Sequence, residues 1–91
     1  MKIAIKEINI YEVENLHKKI LKDIISVKSS YTLNFENVEK IDLNGIQLIL
    51  SLKKYCDNKN ISLKLTNIKS DNLKELFSIV SVEESLGLNF E

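Results

Sequence analysis

The chain has 91 residues, 44% of them hydrophobic, with 13 basic and 13 acidic side chains that cancel to a formal net charge of zero. That balance leaves no electrostatic footprint for nucleic acid, and every basic residue is Lys, so the bidentate fork that Arg offers to phosphates and carboxylates is missing. With no Pro and only two Gly a turn-rich all-β fold is disfavoured, and no apolar run approaches the roughly 20 residues a membrane helix needs, so direct membrane insertion is not expected.

The chain opens on an alternation over Lys2–Lys6, with Ile3 and Ile5 on one side, which predicts a short half-buried strand. The period then changes. Val13, Leu16, Ile20, Ile24 and Val27 recur at helical spacing among charged residues, predicting an amphipathic helix of about four turns. Ser29 and Ser30 punctuate it, and Tyr31, Leu33 and Phe35 alternate with Thr32, Asn34 and Glu36 as a second strand. A second helix is expected from about Gly45 to Asn58, closed by the loop Asp57-Asn58-Lys59-Asn60. Ile61, Leu63 and Leu65 then mark a third strand. Ser70 or Asp71 caps a third helix carried by Leu73, Leu76, Phe77 and Val80. Leu86 to Phe90 reads as either a last short strand or a docked tail.

Strands alternating with helices of this length imply βαβ units and a parallel sheet with right-handed crossovers. A parallel sheet covered on both faces would have strands that are continuous apolar runs. These strands alternate instead, so one sheet face is polar. The expected architecture is an α/β singly wound βα superhelix: a small, mostly parallel or mixed sheet with helices on one face, in a single domain over residues 1–91.

Between the second strand and the second helix runs Asn37-Val38-Glu39-Lys40-Ile41-Asp42-Leu43-Asn44-Gly45-Ile46-Gln47-Leu48-Ile49-Leu50, followed by Ser51-Leu52-Lys53-Lys54. This segment resembles the signature of STAS domains, the anti-sigma factor antagonists and their relatives in sulfate transporters, lipid-transport complexes and chemotaxis operons. The likeness extends less specifically to Glu7–Tyr11, Ser62–Asn67 and Leu73–Phe77, and the usual N-terminal strand pair looks trimmed to one strand. The resemblance implies the same singly wound fold and a cytoplasmic, non-enzymatic module that binds another protein. The partner it implies is an anti-sigma or sensor-kinase-like ATPase, or the ATPase of a transporter. In antagonist members a Ser or Thr between the Asp and the Gly is phosphorylated, and the added charge breaks the complex. Here those positions are Leu43 and Asn44, which cannot take phosphate. A constitutive structural subunit of a lipid-transport complex or of a chemotaxis or sensor-kinase assembly is the alternative reading.

Asn44 is expected to cap the second helix, and Asp42 to fix the loop at its positive end or to touch the partner. The expected docking patch is Asp42, Leu43, Asn44, Gly45, Gln47, Leu48, Leu50, Ser51 and Lys54, in which Leu48, Leu50 and Tyr55 border a polar stripe or the edges of a wide core face. Ser51 is a second possible hydroxyl target. His17 has no Ser, Cys or carboxylate placed to form a triad with it. Cys56, on the core side of its helix, permits no internal disulfide and reads as a small apolar residue. No cofactor or metal is expected.

Overall fold

The computed structural model describes the backbone of residues 1–84 and 89–90 and the side chains of residues 1–78. Its elements in chain order are β1 (Glu7–Ile8), α1 (Ile10–Ile24), β2 (Ser30–Asn34), β3 (Lys40–Ile41), α2 (Leu43–Asn58), β4 (Ser62–Thr66), α3 (Asp71–Glu84) and β5 (Asn89–Phe90). Every described strand pairing is parallel: β1 with β3, and β2 with β4 with β5. A bridge between Lys2 and Asn34 links the two groups. With β2 and β3 as successive stretches beside the N-terminal segment, the chain steps from that segment to β2–β3, then to β4 and β5, as a singly wound superhelix does.

Alternation within the strands decides which face the helices cover. Tyr31, Leu33, Phe35, Leu63 and Leu65 are buried, whereas Thr32, Asn34, Lys64 and Thr66 are half-buried and Ser30 and Ser62 exposed. Leu16, Ile20 and Ile24 of α1, Ile46, Ile49, Leu52 and Cys56 of α2, and Leu73 and Phe77 of α3 complete one core with the buried strand side chains. Phe77 meets Phe35 edge-on, with ring centroids 5.8 Å apart, a geometry that adds to simple area burial. Among the described residues no polar or charged side chain is buried.

Three boundaries differ from the sequence expectation, each for a local reason, and the cap of α3 falls where it was expected. The first strand does not run through Lys2–Lys6. Four residues separate Lys2 from Glu7, but five separate their partners Asn34 and Lys40. The extra residue breaks the ladder as a bulge does, so regular pairing resumes only at Glu7–Ile8. Helix α1 starts at Ile10 because Asn9, extended at φ −127°, accepts the Tyr11 N–H at 3.0 Å. Val27 lies beyond its end and packs on the core from the following turn. At α3 the Ser70 carbonyl takes the first helical bond from Lys74, while its hydroxyl donates to the Glu39 carbonyl at 2.7 Å. Val80's side chain and residues 85–88 lie outside the described residues. Asn89–Phe90 pairs as a strand with Lys64–Leu65.

Candidate functional site

The stretch Asp42–Gly45 joins β3 to α2 where the strands end. Asp42 has an extended backbone (φ −104°, ψ −176°), and its Oδ1 accepts the Gly45 N–H at 3.0 Å. Its carbonyl accepts the first helical bond from Ile46, and its own N–H donates to the Ile8 carbonyl at 3.1 Å. An anionic cap at the positive end of the helix satisfies a free N–H and complements the dipole. Asp42, not Asn44, is therefore the cap of α2. Asn44 lies inside the first turn, because the bond to Ile8 anchors the extended position two residues earlier.

Gly45 is fixed by contact. A methyl group on its Cα would run into the Ile41 side chain and come within 2.9 Å of the Ile8 carbonyl. Only a residue without a side chain lets α2 start this close to β1. The Asp–x–x–Gly spacing thus has a mechanical meaning: the first residue caps, the fourth seats the helix, and the two between are turned outward.

The expected patch is brought together only in part. Leu43 is 74% exposed, and Asn44, Gln47, Ser51 and Lys54 are exposed along the same helix. Asp42 and Leu50 are half-buried, and so is Tyr55. Gly45 and Leu48 are buried and cannot reach a partner. Leu48 belongs to the core, and α2 packs against both α1 and the sheet. Beside this surface are two side chains that the sequence reading left out of the patch. Ile10 and Tyr11, at the start of α1, are 61% and 85% exposed, and the Ile8–Ile41 pairing sets that helix start next to the start of α2. Their signal was an apolar pair outside the Leu16–Ile20–Ile24 stripe.

The titratable groups with shifted behaviour lie elsewhere. Burial, then a 2.8 Å hydrogen bond to the Asp23 carboxylate, holds the Tyr31 hydroxyl protonated well above the usual tyrosine range. Burial, with Asp57 adding to it, pushes the Cys56 thiol up. His17 is exposed. Among the described residues no group of three or more His, Cys, Asp or Glu could hold a metal ion, and no helix is long and apolar enough to cross a membrane. What the loop offers is a fixed, outward-facing apolar and amide surface.

Comparison with known proteins agrees with this architecture. The family model described as STAS domain matches residues 4–90. The crystal structure of a sulfate transporter family protein from Wolinella succinogenes superposes with a TM-score of 0.74 at 22% identity, covering 99% of this chain and 73% of that one. A search of curated proteins returned no match.

Proposed function

The chain belongs to the STAS domain family, and from that membership we propose that it is a non-enzymatic protein–protein interaction module that docks a partner through the start of α2. The observation that carries the reading is the loop itself, where Asp42 and Gly45 hold the backbone while Leu43 stands 74% exposed beside Asn44. An apolar side chain kept in water on a rigid turn fits an anchor that a partner covers. Gln47, Ser51 and Lys54 supply the polar rim, and Leu50 its half-buried border. The proposed partner is an ATPase of the anti-sigma, sensor-kinase or transporter type, met in the cytoplasm, a compartment that suits a lone cysteine.

Leu43 and Asn44 offer no hydroxyl, so the proposed contact is constitutive at the loop rather than released there by phosphate. This favours an assembly role over a switching one. Affinity capture followed by mass spectrometry tests it: the native chain retains such an ATPase, and Leu43→Asp and Asn44→Lys each reduce its recovery about tenfold. Both variants keep the native circular dichroism spectrum, since both positions are exposed. Undiminished recovery with both would exclude this loop as the interface.

A further inference from the structure

The first residues of the chain form an outer edge of the sheet. Among the described residues Lys2 pairs only with Asn34, and β1 only with β3. The backbone bonds alternate in two short stretches, one on each side of the break between Ile3 and Lys6. The Met1 carbonyl and the Ile3 N–H turn inward to Asn34 at 2.8 and 3.0 Å, and the Lys6 and Ile8 carbonyls turn inward to Glu39 and Asp42 at 2.7 and 3.1 Å. Among the described residues no backbone hydrogen bond is made by Lys2 or Ala4, whose groups this alternation aims outward. Such a row is a template for one more strand.

Two further observations define what fits there. Between this edge and α1 lies an open cavity of about 130 Å³, lined along the edge by the whole of residues 1–5 and along α1 by Leu16 with the polar Glu12, Asn15 and Lys19. Its size approaches the ~150 Å³ that accommodates one benzene ring in an engineered apolar cavity. On the opposite side of the segment, Lys2, Ala4 and Lys6 are exposed while Ile3 and Ile5 are buried or half-buried. Lys2 already meets Glu36 at 3.1 Å. The edge is thus apolar toward α1 and cationic on its other face. Pairing two copies would set lysine beside lysine, which is unfavourable.

We propose that this edge accepts an extended segment of another polypeptide as an added strand, with aliphatic and acidic side chains in alternation. Its backbone bonds to Lys2 and Ala4, one aliphatic side chain enters the cavity, and its carboxylates face Lys2 and Lys6. The site uses none of the exposed residues of α2, so it stands or falls separately from the docking loop. The test is an NMR titration of the ¹⁵N-labelled full chain with an acetylated, amidated peptide of alternating glutamate and valine. The Lys2 and Ala4 amide resonances shift and their hydrogen exchange slows. A lysine–valine peptide of equal length binds about tenfold more weakly or worse, and Lys6→Glu, which leaves Lys2 opposed by a carboxylate, removes that preference. Asn44→Lys leaves the titration unchanged. The proposal is overturned if both peptides bind alike, if neither binds at millimolar concentration, if the shifts centre on Leu43–Lys54, or if dilution alone moves the Lys2 and Ala4 resonances, which would identify a second copy as the occupant.

Discussion

Gly45 shows how one residue type can be dictated by neighbours rather than by its own conformation. The Ile41 side chain and the Ile8 carbonyl occupy the space into which a methyl would point. Gly45→Ala should therefore destabilise the fold by about 1–3 kcal/mol, the usual cost of overpacking, despite alanine's better helix propensity. Urea titration measures this, with Asn44→Ala at an exposed position as the control that stays within about 0.5 kcal/mol. Tyr31 sets a different kind of constraint. Its protonation is favoured in the folded state, so its contribution is fully present below the ordinary tyrosine value near 10 and is lost as pH rises beyond it. Tyr31→Phe removes the bond to Asp23, costs about 1 kcal/mol at neutral pH, and flattens the alkaline decline in urea midpoint. The Cys56 thiol, raised in the same direction, leaves a smaller slope in that variant. An alkaline decline as steep in Tyr31→Phe as in the native chain would refute this assignment.

Among the elements, the end of α2 is the most explicitly written. Asn60 is left-handed (φ 59°), the Ile61 N–H reaches back to the Cys56 carbonyl at 2.7 Å, and the Asn60 N–H reaches Asp57 at 3.3 Å. This pair of bonds is a Schellman closure. Asn60→Ala should cost about 1 kcal/mol, because a Cβ without a local hydrogen-bonding group resists that conformation, and Asn60→Gly should cost nothing. Thermal denaturation of both variants checks the sign. β2 and β4 were legible because each has one buried and one open face, so period-two alternation survives into the structure. The beginning of α1 was less so: Ile10 and Tyr11 are helical yet point away from the core, and apolar periodicity cannot mark a turn whose apolar residues are exposed. Leu48 escaped for the opposite reason. It lies at the margin of its helix's apolar arc, and tertiary packing that periodicity does not display makes that margin interior. The cap was ambiguous locally, with Asp42 and Asn44 both competent, and a bond to a carbonyl 34 residues earlier decided it.

For the molecule as a whole, the parallel pairing and the single covered face were expected from pattern, because a right-handed crossover leaves few ways to arrange such units. The edge at Lys2–Lys6 was not, since its irregular register depends on the length of the link from Phe35 to Glu39. The two proposed surfaces divide accordingly: the α2 loop at one end of the sheet, and the open edge along its side. The seating of Gly45 against Ile8 carries one last implication. Because the first two helices begin on a shared footing, a partner docking on Leu43 as proposed would meet a surface with little freedom left to lose. Diversification can then proceed by exchanging the two residues between cap and seat, like type set in a fixed frame, with recognition rewritten while the scaffold stays as it is.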